Sequence, residues 1–367
     1  MEYKQKYLKY KQKYNELQKK NLAKNLWGGS YIIDSDGVVK NLIEYPEVSI
    51  LLEDKIGEGG SGSVKLGTII ECKRDVRLIG KKVAIKEFKR DYKHTSEEKK
   101  NYEKQKLVDF GLDYNEHLIE TEYYPSLYFD IMNGPLKNQL VFEYAGNTLC
   151  NYIREKPEIY NINNNRRIML QLFKILFELA KKDNMQNDIK CENIVYKVNF
   201  DNSVDVKLID FGSSMSISEL NAGKVNFGNR TNMNTPETIY NYLLHNKNFK
   251  SWAEQLNLLL NNFNRWYYYP FISIVYFLYA GQEYSTGNNS NGYIHNNITA
   301  DSKEKWKQSV FYYLSENQNI IDNIDKLNIP GSEKIFLNEL IDMICIPEPR
   351  ARASEETVID FLSKKLE

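Results

Sequence analysis

No two cysteines in this chain are spaced as C-x-x-C, and the four present, Cys72, Cys150, Cys191 and Cys345, are widely scattered. The scatter disfavours structural zinc and reads as reduced cytosolic thiols rather than a disulfide framework. Histidine is as scarce, four in 367 residues with none near another, so no histidine cluster presents itself. Charge of one sign is missing overall: 49 basic and 49 acidic residues cancel. That balance argues against a dedicated nucleic-acid binder, which is usually basic. A membrane-spanning run is missing too. The most apolar stretch, Pro270–Gly281, falls short of the roughly 18 residues a span needs and reads as a buried helix. Charges begin at Glu2 and Lys4 with no apolar run behind them, so no signal peptide is expected. The 27 tyrosines, with abundant asparagine, lysine and isoleucine, fit the coding bias of an AT-rich genome and carry no chemistry.

What is present divides the chain. Residues 1–29 form a basic arm. Tyr3, Tyr7, Tyr10, Tyr14 and Leu17 recur at helical spacing, and eight lysines against two glutamates give residues 1–28 a charge of +6, leaving −6 for the remainder. By composition the arm is a solvated helix or a disordered segment. The sharper alternative is contact with an anionic surface or a partner helix. Gly28-Gly29-Ser30 reads as a hinge. From Val48 the texture changes. Val48–Ile56, Ser63–Ile70, Lys81–Phe88 and Gln139–Phe142 predict strands, and Glu97–Phe110 predicts a helix. Beyond Arg166 helices dominate: Arg166–Lys182, the stretch around Trp266–Tyr279, Ser302–Leu314, Ser332–Cys345 and Ser354–Leu366. Two brief strands, Asn193–Lys197 and Asp205–Ile209, interrupt them, and Ser285–Asn297 reads as a loop. A strand-rich first part and a helical second part predict two lobes.

The chemistry-bearing residues follow a fixed order. Gly57-Glu58-Gly59-Gly60-Ser61-Gly62-Ser63-Val64 joins the first two predicted strands, where missing Cβ atoms let N–H groups approach phosphate oxygens. Its place between two strands disfavours a dinucleotide fold, which needs a strand and a helix. Val83-Ala84-Ile85-Lys86 ends in a lysine that, in isolation, would be a solvated edge residue. Glu103, in the following helix with apolar Leu107 at i+4, offers it a partner that aims the ammonium at phosphates. Leu140-Val141-Phe142-Glu143-Tyr144-Ala145-Gly146 runs from a strand into a polar link. The backbone groups of Glu143 and Ala145 could bind an adenine edge, with Val64 and Ala84 on one side of the ring and Val195 on the other; ordinary strand-end packing is the plainer alternative. Asp188-Ile189-Lys190-Cys191-Glu192-Asn193 then supplies a carboxylate base, an ammonium for the transferring phosphate and a carboxamide. Asn193 and Asp210, the latter in Asp210-Phe211-Gly212, offer hard oxygen ligands for Mg²⁺.

These motifs resemble the eukaryotic-type protein kinase family over about residues 48–366. Thr235-Pro236-Glu237, Trp266 and Pro347-Glu348-Pro349-Arg350 extend the likeness, with Arg350 placed to pair with Glu237. The resemblance implies an α+β, bilobal fold: a small antiparallel-sheet N-lobe with one helix over 48–145, and a larger, mainly helical C-lobe over 146–367. It implies ATP, Mg²⁺ and a protein substrate, with Asp188 and Lys190 catalytic and Asn193 and Asp210 holding metal. The implied ATP-binding set is Ile56, Gly57, Gly59, Gly62, Val64, Ala84, Lys86, Glu103, Glu143, Ala145 and Val195. Lys190 points to serine/threonine rather than tyrosine substrates. The arm is also similar to leaders of proteins from mimivirus-like giant viruses, which implies action in a host cytoplasm or packaging in a virion.

The chain departs from the family at several positions. Gln186-Asn187 replaces the family's His-Arg ahead of Asp188. Loss of the arginine removes the usual anchor for an activation-loop phosphate, so constitutive activity or another form of control is expected. Asn264 stands where an aspartate is usual, Thr231 is one place off, and residues 243–263 read as an insertion. Three other readings compete with an active protein kinase. A pseudokinase scaffold is disfavoured because Lys86, Asp188 and Asp210 are all present. A small-molecule kinase is disfavoured by the Thr-Pro-Glu segment and Arg350. A tether built around the arm requires that deleting residues 1–29 abolish the principal activity.

Overall fold

In a computed structural model of the chain, residues 30–33, 39–45, 47–59, 62–92, 94–109, 123–131, 138–155, 160–186, 188–216, 267–281, 322–346 and 351–366 are described. The basic arm before Ser30, Asn187, Thr231, the Thr235–Glu237 segment, the 243–263 insertion, Asn264, Trp266, the 285–297 loop, the 302–314 helix and Pro347–Arg350 lie outside them. The chain divides into two compact units between Ala145 and Gly146.

The first unit is built on one antiparallel sheet of seven strands: β1 (Ser30–Ile33), β2 (Val39–Glu44), β3 (Val48–Glu58), β4 (Gly62–Cys72), β5 (Lys82–Phe88), β6 (Leu127–Asp130) and β7 (Gln139–Glu143). The spatial order is β1-β2-β3-β4-β5-β7-β6. β-branched residues fill the buried positions. Val48, Ile50, Ile69, Val83, Ile85 and Val141 form one cluster with Tyr128 and Phe129, as expected where period-2 side chains cover a sheet face. Two strands precede the one predicted at Val48. Ser30, expected in a hinge, instead opens β1 opposite Leu42. Among the described residues of this unit one long helix, α1 (Ser96–Asp109), accompanies the sheet. A capping box starts it: Thr95 N–H donates to Glu98 Oε2 (2.7 Å) and Glu98 N–H donates back to Thr95 Oγ1 (3.2 Å).

In the second unit, β8 (Asn147–Thr148), β10 (Ile194–Val198) and β11 (Val204–Leu208) make a three-stranded sheet of order β11-β10-β8, and β9 (Asn184–Met185) pairs with β12 (Met215–Ser216). Gly146 permits the entry to β8: its φ is 121°, and a Cβ there would lie 1.9 Å from the Tyr196 carbonyl oxygen. Among the described residues the long helices of this unit are α2 (Ile162–Lys181), α3 (Tyr268–Ala280), α4 (Gly331–Ile344) and α5 (Glu355–Lys364). Asn161 caps α2 through its side chain. Ile168, Leu172, Ile175, Leu176 and Leu179 recur at i, i+3/i+4 spacing and are fully buried. Within α3, Phe271, Ile272, Ile274, Val275 and Leu278 are almost wholly buried. Among the described residues no helix is long and apolar enough to cross a membrane. The helices are pinned around Glu333, which is 1% exposed. It accepts from Arg166 on α2 and from the Tyr279 hydroxyl on α3, while Arg166 also donates to the Lys365 carbonyl beyond α5.

The cysteine expectation fails at one pair. Cys150 and Cys191 form a disulfide, with Cα atoms 5.0 Å apart across a sequence separation of 41. The cause is register. Thr148 on β8 lies opposite Val195 on β10, so the turn after β8 and the turn before β10 are brought side by side. Cys72 and Cys345 are buried thiols outside any disulfide.

Candidate active site

Residues singled out in the sequence assemble in two groups, one in each unit. In the first unit the glycine-rich turn links β3 to β4. Gly59 and Gly62 close it by exchanging backbone hydrogen bonds of 2.9 and 3.3 Å, and Gly57 pairs with Val64. Gly62 has a reason of its own to lack a side chain: a Cβ there would meet the Glu87 carbonyl oxygen at 2.1 Å. Its absence lets β4 approach β5 closely, a packing constraint that the phosphate reading of the turn did not include. Ile56 is exposed beside the turn.

Val64 lies opposite Lys86, and Ala84 is two residues before Lys86, so all three share one face of the sheet. Lys86 Nζ donates to both carboxylate oxygens of Glu103, at 2.8 and 2.6 Å. The pair is buried, Lys86 being 8% and Glu103 2% exposed. Such a pair holds only if each charge stays matched, because removing one partner strands the other in a poorly solvated place.

At the end of β7 the Glu143 N–H donates to the Ser126 carbonyl (2.8 Å) and is part of the sheet, so the backbone contact expected from Glu143 would have to come from its carbonyl. The β6–β7 pairing that consumes the N–H was not predicted, because β6 was not. Ala145 follows, buried, at the end of this unit. Val195 belongs to the second unit, on β10 between Thr148 and Lys207.

In the second unit two short ladders frame two loops. The loop 186–193 leaves β9 and enters β10. The loop 209–214 leaves β11 and enters β12. Because β9 pairs with β12 and β10 pairs with β11, the loops are held against each other at both ends. Ile209 N–H donates to the Asn193 carbonyl (2.9 Å), which brings Asn193 alongside Asp210.

Within the first loop everything turns on Asp188. Its Oδ2 accepts from Lys190 Nζ at 2.7 Å and from Asn193 Nδ2 at 3.0 Å, and its backbone carbonyl accepts from Asn193 Nδ2 at 2.7 Å. The Asn193 amide nitrogen is thereby committed to Asp188, so Oδ1 is the atom Asn193 can present to a cation. With the Asp210 carboxylate this makes a hard oxygen pair, the donor chemistry that suits Mg²⁺. Asp210 stands in the left-handed region, φ 62° and ψ 74°, sparsely used by non-glycine residues and typical of functional sites.

Gln186, noted in the sequence only as a departure from the family, turns out to bridge the two loops. It is fully buried. Its Nε2 donates to the carbonyls of Asp210 (2.5 Å) and Ile209 (3.4 Å), and its Oε1 accepts from Ser214 Oγ (3.2 Å) and Asp188 N–H (3.4 Å). Carbonyls can only accept and an N–H can only donate, so these partners fix which way the amide faces. One side chain thus joins the backbones of Asp188 and Asp210. The available signal was a polar amide placed two residues before the candidate base.

A family model described as "Protein kinase domain" matches residues 51–254, more than half of the chain. The chain belongs to the protein kinase family. Among curated proteins it is similar to the SNF1-like protein kinase ssp2 of Schizosaccharomyces pombe, 26% identical over 203 residues, covering 55% of this chain and 32% of that one. It is also similar to the carbon catabolite-derepressing protein kinases of Saccharomyces cerevisiae, 26% identical over 200 residues (54% of this chain, 28% of the relative), and of Candida albicans, 25% identical over 198 residues (54% and 29%). The chain thus matches about a third of the length of these relatives. As a protein kinase domain, it carries an antiparallel sheet and several helices, consistent with the bilobal fold of the family.

Proposed function

We propose that this protein transfers the γ-phosphoryl group of ATP to serine or threonine hydroxyls of protein substrates. The observation that carries the reading is the convergence of Lys190 and Asn193 on one carboxylate oxygen of Asp188, in a loop held against the segment that bears Asp210. Bound Mg-ATP supplies the phosphoryl group and the cationic charge that offsets its oxygens.

The chain's own residues do the rest. Lys86, fixed by Glu103, binds the α- and β-phosphates. Asn193 Oδ1 and the Asp210 carboxylate would hold Mg²⁺. Asp188 orients the attacking hydroxyl and takes its proton, and Lys190 neutralises charge as it shifts onto the transferring group. Gln186 keeps Asp188 and Asp210 in fixed relation without a titratable ring. With no arginine ahead of Asp188, activity that does not depend on loop phosphorylation is the expected mode.

The replacement of His-Arg by Gln186-Asn187 is also what favours a second reading, a nucleotide-binding scaffold that transfers nothing. Incubating the full chain with Mg-ATP and a protein mixture, and locating modified residues by mass spectrometry, separates the two. Phosphoserine and phosphothreonine support transfer. Phosphotyrosine alone overturns the specificity, and nucleotide binding without any transfer supports the scaffold. The basic arm would contact an anionic surface or a partner helix. Its reading as a giant-virus leader, with action in a host cytoplasm or a virion, rests on that likeness alone.

A further inference from the structure

Helix α1 carries Glu103, yet it has little apolar surface with which to dock. A helix of a globular domain normally binds through an apolar stripe. The buried residues of α1 are instead Lys100, Glu103, Lys106 and Leu107, of which only Leu107 is apolar. Charge therefore has the larger part in holding this helix in place.

The anchors are specific. Lys100 Nζ donates to Asp130 Oδ1 at 2.8 Å and to the Ile131 carbonyl at 3.0 Å, and Lys104 Nζ donates to Asp130 Oδ2 at 2.6 Å. Each oxygen of one carboxylate thus takes one ammonium, from lysines one helical turn apart. The Lys100 side chain is 4% and the Asp130 side chain 12% exposed. Burial alone would raise the Asp130 pKa. The hydrogen bonds from Lys100 and Lys104 outweigh it and hold the carboxyl below its usual range.

Glu103 lies between these two lysines in sequence, three residues after Lys100 and one before Lys104. Its own partner, Lys86, is on β5, whereas Asp130 is on β6, and β7 runs between those strands. Two strand spacings separate the anchor points by about 10 Å. A helix held at one point can roll. A helix held at two points this far apart cannot roll Glu103 away from Lys86 without pulling lysines from Asp130.

We infer that Asp130 and Lys100 are positioning residues that keep Glu103 on Lys86 by clamping α1 to β6. The role given to Lys86 rests on the kinase reading; the clamp itself does not. The test uses the full chain with Asp130→Asn, Lys100→Met and Lys100→Arg. A brief acetic anhydride pulse followed by mass spectrometry reads the reactivity of the Lys86 amine against Lys65 and Lys82 on the same sheet. In Asp130→Asn and Lys100→Met, Lys86 should label about fivefold faster while Lys65 and Lys82 keep the parental rate. Lys100→Arg, which preserves the ion pair, should stay parental. The KM for Mg-ATP should rise about fivefold in the two clamp-breaking variants.

Should either clamp-breaking variant fail to fold, Lys104→Met, on a side chain 37% exposed, decides instead, with about a twofold rise at Lys86. An unchanged Lys86 rate in the folded variants, or a rise shared equally by Lys65 and Lys82, overturns the clamp. A parent chain that transfers no phosphate overturns the kinase reading and leaves the labelling result to stand by itself.

Discussion

The Gln186 side-chain amide donates to the backbone carbonyl of Asp210 at 2.5 Å, and its oxygen faces the Asp188 N–H. Replacing Gln186 by leucine removes, in a buried place, the hydrogen bonds this side chain makes to Asp210, Ile209, Ser214 and Asp188, each worth about 0.5–1.5 kcal/mol. Gln186→Leu should therefore lower the urea midpoint and speed amide exchange over residues 209–214. Gln186→Glu should be worse still, because a carboxylate would face two carbonyl oxygens in a buried place. A Gln186→Glu chain as stable as the parent would remove the amide from the account.

Lys86 and Glu103 form a buried, matched pair. Glu103→Ala should lose about 3–5 kcal/mol, since it removes the carboxylate that matches a buried ammonium. Removing both charges together, as Lys86→Met with Glu103→Met, should recover most of that loss while leaving transfer activity severely reduced. Denaturant unfolding of the single and double variants checks the stabilities. Additive losses would show that the two side chains are not coupled.

Asp205 joins α2 to the β10–β11 hairpin through Arg167, Gln171 and Asn199. Burial pushes its pKa up, but the hydrogen bonds from Asn199, Arg167 and Gln171 prevail and hold it below the ordinary value of 3.8. A folded pKa below the unfolded one means that the stabilisation is complete above the unfolded value and disappears as pH falls through the folded value. The stability gap between the parent and Asp205→Asn should be constant from neutral pH down to about pH 5 and close below pH 4. A gap that widens on acidification would reverse the sign.

The Cys150–Cys191 bridge closes a loop with a sequence separation of 41. A loop of that size contributes about 4 kcal/mol in the chain-entropy model. Reduction with dithiothreitol should lower the urea midpoint of the parent and leave Cys150→Ser unaffected. Equal midpoints in oxidised and reduced parent would show that the bridge adds nothing to stability.

Much of the site was readable because its parts are local. Asp188, Lys190 and Asn193 share one short loop, and the β-branched runs that became β3, β4, β5 and β7 carry their own pattern. Features that depend on distant partners stayed hidden. The bridge from Cys150 to Cys191 follows from the register of β8 on β10. Gly62 is required by the approach of β5, not by its neighbours in the turn. The β1–β2 hairpin has a cue in the sequence, Asp36-Gly37 among β-branched residues, beside the Gly28-Gly29-Ser30 run that reads as a hinge. Helix α1 buries one apolar residue, Leu107. It docks mainly through lysines and a glutamate, which a hydrophobic pattern does not reveal.

The central claim is that the Asp188 carboxylate accepts the proton of the attacking hydroxyl. The most direct measurement compares Mg-ATP-dependent ³²P transfer to a generic basic protein by the parent and by Asp188→Ala, with nucleotide affinity measured in parallel. The account predicts transfer by the parent, a loss of about 100-fold or more in the variant, and Mg-ATP binding largely unchanged. Equal transfer by the two proteins would contradict it.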